Sequence, residues 1–136
     1  MAISVIVDAG FLVALLGKRD RHRSWAIAQA EQAPPPWFTC DAVIAEVFYL
    51  LRNHGFPGLR ELLRRRSVVS RFLLAENLEP VLELMEKYSD VPMSFADACL
   101  VRMTELLPDP LVLTTDSDFR IYRRHSRQVV PCAMPR

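Results

Sequence analysis

Short apolar runs and helix-forming stretches alternate from one end of this sequence to the other, and that order leaves few folds open. Ile3-Ser4-Val5-Ile6-Val7 is β-branched and reads as a strand that stops at Asp8-Ala9-Gly10. Residues 11–16 read as a short apolar helix ending near Gly17. A charged connection over 18–23 leads to a helix over 24–32, which Pro34-Pro35-Pro36 ends. Trp37-Phe38-Thr39-Cys40 is a second strand. Thr39 or Asp41 can cap the next helix, from Ala42 to about Asn53, with Gly55 beyond its end. After Pro57-Gly58 a helix runs over 59–66. Residues 68–75 suit a strand or a continued helix, and periodicity does not separate the two. Helices are expected from Glu79-Pro80 to about Tyr88 and from Ser94 or Phe95 to near Leu107. Residues 111–114 form a strand, 119–125 a short helix or turn, and 128–132 a last strand. The expectation is an α/β domain, with a mainly parallel sheet of four to five short strands.

Composition agrees with a single domain over 1–136. At 136 residues, 51% hydrophobic and 24% charged, the chain is sized for one buried core and is too apolar for intrinsic disorder. It shows no repeat, low-complexity tract or long linker. No apolar run is long enough for a membrane helix, and Asp8 interrupts the first apolar stretch, so neither a membrane span nor a signal peptide is expected. The expected location is the cytoplasm. Cys40, Cys99 and Cys132 are odd in number and widely spaced, which disfavours a disulfide framework or a zinc site and favours reduced, buried thiols.

The informative residues are acids in apolar surroundings. Asp8 follows Ser-Val-Ile-Val; Glu46 is the only charge between Ala42 and Leu51; Asp97 interrupts Phe95-Ala96 and Ala98-Cys99-Leu100-Val101; Asp116 follows Leu-Val-Leu-Thr-Thr. Burying an ionised carboxylate without a partner is costly. Taken singly, Asp8 and Asp97 can be helix caps, Asp116 and Asp118 turn residues, and Glu46 half of a buried ion pair with an arginine. Taken together they suit a common purpose. Asp8 and Asp116 sit at the carboxyl ends of expected parallel strands, where open α/β sheets bind ligands. If the four converge, an all-oxygen set of this kind calls for a hard divalent cation, Mg²⁺ or Mn²⁺.

These blocks resemble a known family. Ile6-Val7-Asp8-Ala9-Gly10-Phe11-Leu12-Val13-Ala14-Leu15-Leu16, Ala42-Val43-Ile44-Ala45-Glu46-Val47-Phe48-Tyr49-Leu50-Leu51, Ser94-Phe95-Ala96-Asp97-Ala98 and Leu113-Thr114-Thr115-Asp116-Ser117-Asp118-Phe119 are similar, in order and spacing, to a PIN domain of the VapC-like toxin ribonucleases. The resemblance covers essentially the whole chain. It implies a three-layer α/β/α sandwich and a Mg²⁺- or Mn²⁺-dependent endoribonuclease that leaves a 3′-hydroxyl and a 5′-phosphate. The family's four acids fall on Asp8, Glu46, Asp97 and Asp116, with Asp118 an auxiliary metal ligand and Ser94 and Thr114 candidate hydroxyls near the metal. Many members carry Thr or Ser directly after the first acid; here that position is Ala9. The resemblance further implies an RNA substrate, a cognate antitoxin and a homodimer.

Two alternatives keep the fold: a housekeeping RNA-processing nuclease, and a non-catalytic RNA-binding module, against which the intact acid set argues. A haloacid-dehalogenase-like phosphatase needs Asp-x-Asp after the first strand, but residue 10 is Gly. A receiver domain needs a late lysine, and none follows Lys87.

The formal charge of +1, from 17 Lys plus Arg against 16 Asp plus Glu, looks wrong for a nucleic-acid binder. With the five grouped acids set aside as metal-neutralised, the balance becomes roughly +6, carried mainly by arginine. Arginine pairs with phosphate in bidentate geometry. Arg120, Arg123 and Arg124 follow Asp116 and are the expected RNA contacts, whereas the basic amphipathic stretch Arg60 to Arg66 could instead meet an acidic partner.

Overall fold

β1 (Ser4–Val7) is buried at every position, as a strand covered on both faces by helices must be. In the computed structural model, which describes residues 2–52 and 54–136, it lies at the centre of a five-stranded sheet of order β3-β2-β1-β4-β7. All four pairings in that sheet are parallel. β1 leads through α1 (Ala9–Leu16) and α2 (Arg23–Gln32) to β2 (Trp37–Thr39). That strand leads through α3 (Asp41–Leu50) and α4 (Phe56–Arg64) to the edge strand β3 (Val68–Ser70). A single 3-10 turn (Leu74–Glu76), α5 (Leu78–Lys87) and α6 (Phe95–Leu106) then carry the chain back across the sheet to β4 (Pro110–Leu113). Parallel crossovers are right-handed, so the reversal of direction after β3 puts helices on both faces. The result is the three-layer α/β/α sandwich expected from the resemblance.

The core is apolar on both sides of the sheet. Ile6, Phe11, Leu12, Val43, Val47, Leu100, Met103 and Leu113 are fully buried. Each such side chain contributes on the order of 1.5–3 kcal/mol by leaving water. Phe11 fixes α1 and α2 against β2, with its ring edge-on to Trp37 (5.2 Å) and Trp25 (6.0 Å).

Several boundaries differ from expectation, each for a local reason. α1 begins at Ala9 rather than residue 11 because Asp8 itself is its cap. α3 is assigned to Leu50; the expected end, Asn53, lies outside the described residues. The ambiguous stretch 68–75 is a three-residue edge strand followed by an irregular segment. The expected helix or turn over 119–125 is a 3-10 turn (Ser117–Arg120) and then β5 (Arg123–Arg124). The expected last strand splits in two. β6 (Gln128–Val129) pairs antiparallel with β5, while β7 (Cys132–Ala133) joins the main sheet beside β4. Pro131 stands between them and has no N–H to continue a ladder, although its carbonyl accepts from Val112 N (2.9 Å). Cys40 and Cys99 are buried and Cys132 is half-buried.

No helix among the described residues is long and apolar enough to cross a membrane.

Candidate metal and RNA site

The register Val7↔Leu113 brings the ends of β1 and β4 side by side, so the residues that follow them meet. Asp8 N donates to the Leu113 carbonyl (3.0 Å) and Thr114 N to that of Ala133 (3.2 Å), which holds both segments to the strand ends. The side chains then lock together. Asp8 Oδ1 accepts from Ala9 N (2.7 Å) and caps α1. Asp8 Oδ2 accepts from the buried Thr114 hydroxyl (2.7 Å). The same hydroxyl oxygen accepts from Asp116 N (3.0 Å), and Asp116 Oδ1 accepts from Asp118 N (2.9 Å). Capping and grouping are therefore the same arrangement: the hydrogen bonds that make Asp8 a cap and Asp116 a turn residue also fix them next to each other.

Gly10 makes this approach possible. A Cβ there would lie 2.0 Å from the Thr115 hydroxyl oxygen. Glycine lets the first turn of α1 sit against the Thr115 side chain without displacing it.

Asp97 arrives from the first turn of α6. Ser94 caps that helix, its hydroxyl accepting from Asp97 N (3.0 Å). Asp97 is buried, and its Oδ2 accepts from the Tyr122 hydroxyl (2.8 Å). Tyr122 is fully buried, between Tyr88 (5.2 Å) and Phe119 (5.2 Å). Sequence reasoning missed it. Its partner is 25 residues distant, and a tyrosine between two basic stretches carries no local sign of that contact.

Burial pushes the Asp8 carboxyl up to about 7, partly opposed by the Thr114 hydrogen bond and reinforced by the charges of Asp97 and Glu46. Asp97 is also raised, by burial first, with the Tyr122 hydrogen bond acting the other way and Asp116 and Asp118 adding to the rise. Burial, with Asp97, likewise raises the Tyr122 hydroxyl, so it stays a donor. The five acids thus act on one another electrostatically. Among the described residues the only ion pairs are Arg65–Glu61 and Arg102–Glu105, and neither includes any of them.

Glu46 corrects one expectation. It is exposed on α3, not buried, and it has no arginine within ion-pair distance. Valines 43 and 47 face the core while Ala45, Glu46, Tyr49 and Leu50 face outward, so an apolar sequence here does not mean a buried helix.

Two of the three arginines expected to contact RNA also make hydrogen bonds within the chain. The Arg123 guanidinium donates to the carbonyls of Arg120 (2.8 Å), Ile121 (3.1 Å) and Tyr122 (2.9 Å). Arg124 donates to the Thr104 carbonyl and to Gln128 Oε1, and its Nε is buried without a partner. Arg124 ties the start of the β5–β6 hairpin to α6, whereas Arg123 closes the turn that precedes it. Arg120 is exposed.

The donor set is all carboxylate and hydroxyl oxygen, carries excess negative charge and, among the described residues, has no ammonium or guanidinium in ion-pair contact. That chemistry fits a hard divalent cation. No three His, Cys, Asp or Glu side chains among the described residues form a ready coordination shell. Thr114, Tyr122 and backbone N–H groups draw the carboxylates toward the protein's own donors.

No curated protein sequence matches the chain. Its structure is similar to the crystal structure of Mycobacterium tuberculosis VapC20, described as a sarcin–ricin loop cleaving toxin. The TM-score is 0.68 at 23% identity, over 85% of this chain and 92% of that one. The family model of the PIN domain matches residues 5–124, a span that takes in all five acids. By that match, the chain belongs to the PIN-domain family.

Proposed function

We propose that this chain is a Mg²⁺- or Mn²⁺-dependent endoribonuclease, the toxin of a toxin–antitoxin pair. The observation that carries the nuclease reading is the group of mutually repelling acids at the ends of β1 and β4, with Asp8 pushed up to about 7 and no cation paired to it among the described residues. Charge frustration of this kind is relieved by a metal, and strongly perturbed carboxylates cluster at functional sites. Asp8, Asp97, Asp116, Glu46 and Asp118 would hold it. A bound divalent ion supplies a lowered pKa for water and charge stabilisation at the phosphoryl oxygens.

The remaining work falls to the chain's own residues. Thr114 holds one oxygen of Asp8, and Tyr122 holds one oxygen of Asp97, so each presents its carboxylate in a fixed orientation. Glu46 and Asp118 make no side-chain hydrogen bond among the described residues, and either can accept a proton from the attacking water. Ala9 brings no hydroxyl after the first acid; Thr114 supplies one from the neighbouring strand end. Ser94 acts through its cap of α6. Arg120 remains the RNA contact in this part of the surface.

The toxin role is supported by the likeness in fold to VapC20, and with it come an antitoxin partner, a homodimer and a cytoplasmic site of action. The test is cleavage of a panel of structured RNAs with Mg²⁺, with Mn²⁺ and with EDTA, by the chain and by Asp8→Asn. Divalent-dependent cleavage lost in Asp8→Asn supports the reading. Full activity in Asp8→Asn overturns it.

A further inference from the structure

Arg123 and Arg124 already donate to carbonyls, so an RNA strand at the acids gains from a second surface beside them. The outward face of α3 and the start of α4 present one. Tyr49 and Leu50 follow Glu46 by three and four residues, so they flank it on the same helix face, with Cβ atoms about 5–6 Å away. Tyr49 is 67% exposed, Leu50 50% and Phe56 40%. Large apolar side chains at this density on an open face call for an occupant.

The charges around them indicate its chemistry. The Arg52 guanidinium lies over the Tyr49 ring (4.8 Å) and donates to the Tyr49 carbonyl (3.0 Å). The Arg60 guanidinium lies over the Phe56 ring (5.6 Å). Phe56 is in turn packed against Phe48 (5.3 Å), which fixes its orientation. Arg64 lies one turn beyond Arg60 and is exposed; Glu61, the one acid in α4, is already paired with Arg65. Tyr49 and Phe56 therefore each carry a cation, so each pairs a π-face with positive charge. Single-stranded nucleic acid alternates bases with phosphates, and its binding sites combine aromatic platforms with basic grooves. A purely apolar partner would desolvate both guanidinium charges and offer them no anion.

We infer that this face, Tyr49 with Arg52 and Phe56 with Arg60, is a stacking platform for unpaired RNA bases next to the bond cleaved at the acid site. The inference rests on the nuclease reading. It places substrate recognition on α3 and α4 rather than on the β5–β6 hairpin, and it predicts a preference for single-stranded or looped RNA, whose bases are free to stack.

The experiment uses the full chain carrying Asp8→Asn, to prevent cleavage, and a fluorescein-labelled single-stranded RNA of about twelve nucleotides. Fluorescence anisotropy measures binding as Tyr49→Ala, Phe56→Ala and Tyr49→Trp are added. Loss of one stacked base is expected to weaken binding by about tenfold, and Tyr49→Trp to restore it. On the same strand made without bases, Tyr49→Ala is expected to change nothing. Unchanged affinity in both alanine variants on the normal strand overturns the platform. So does a change in sedimentation of the chain with RNA binding intact, which would assign the face to a second copy. Cleavage by the parent chain, measured in parallel, separates failure of the platform from failure of the nuclease reading.

Discussion

The two ends of the central sheet use burial in opposite ways. At the N-terminal ends of β1, β2 and β4 lies a groove of about 760 Å³, lined by Ile3, Pro34, Pro36, Phe38, Leu107 and Leu111 among others. Arg71, the one charged residue in its lining, stacks on the Phe38 ring (5.0 Å). At the C-terminal ends, hydrogen-bonded polar groups dominate. There Asp8 and Asp97 are buried at 7% and 8% exposure with no ion-pair partner among the described residues, although burial disfavours their charged forms. The hollow holds little chemistry, whereas the frustrated charge lies at the opposite end.

That contrast can be broken most directly by removing charge at one end and apolar surface at the other. Asp8→Asn is expected to lower divalent-dependent RNA cleavage by about a hundredfold or more, a loss comparable to removing a principal electrostatic group from an active site. Ile3→Ser, in the opposite groove, is expected to leave the rate unchanged. Equal losses in the two variants would erase the distinction between the ends.

Next in size are the groups that hold the acids. Thr114→Val removes the hydroxyl that serves both Asp8 and Asp116, and Tyr122→Phe removes the donor to Asp97. Each is expected to weaken Mn²⁺ binding by about 10- to 100-fold, the usual cost of losing a group that orients a ligand. Circular dichroism should show both variants folded. Wild-type Mn²⁺ affinity in both would show that the acids need no such support.

Gly10→Ala probes the approach of α1 to the loop after β4. A methyl group 2.0 Å from the Thr115 hydroxyl forces the two apart. The expected loss is about 1–3 kcal/mol of stability, read from the denaturant midpoint.

A pH dependence sharpens the contrast further. Folded Asp8 keeps its proton up to about pH 7, whereas an ordinary aspartate releases it near pH 4. Between those values the folded chain binds more protons than the unfolded one, so this contribution to stability is lost as pH rises. Without divalent ions, Asp8→Asn is therefore expected to stabilise the chain at pH 8, by about 1–3 kcal/mol, and to give no gain at pH 4. Denaturant melts at the two pH values measure it. A gain that is larger at pH 4 would reverse the assigned sign.

The two ends were not equally legible in sequence. Asp8, Asp97 and Asp116 stand out because a carboxylate inside an apolar run is costly in almost any fold, and the parallel alternation places two of them at strand ends. Glu46 stood out for a mistaken reason: α3 is apolar on its outer face as well, so its acid is exposed. The hairpin arginines could not be read at all. Their partners are carbonyls of Arg120, Ile121, Tyr122 and Thr104, and no residue type signals a backbone acceptor. Tyr122 was hidden by sequence distance. The split of the last strand follows from Pro131, whose effect depends on which neighbour each side of it meets.

The central claim is that the acids at the C-terminal strand ends form one divalent-cation site. Isothermal titration of the full chain with Mn²⁺ at pH 8, beside Asp8→Asn and Asp97→Asn, tests it most directly. The account predicts saturable binding to the chain and its loss in both variants. Equal binding by all three proteins would contradict it.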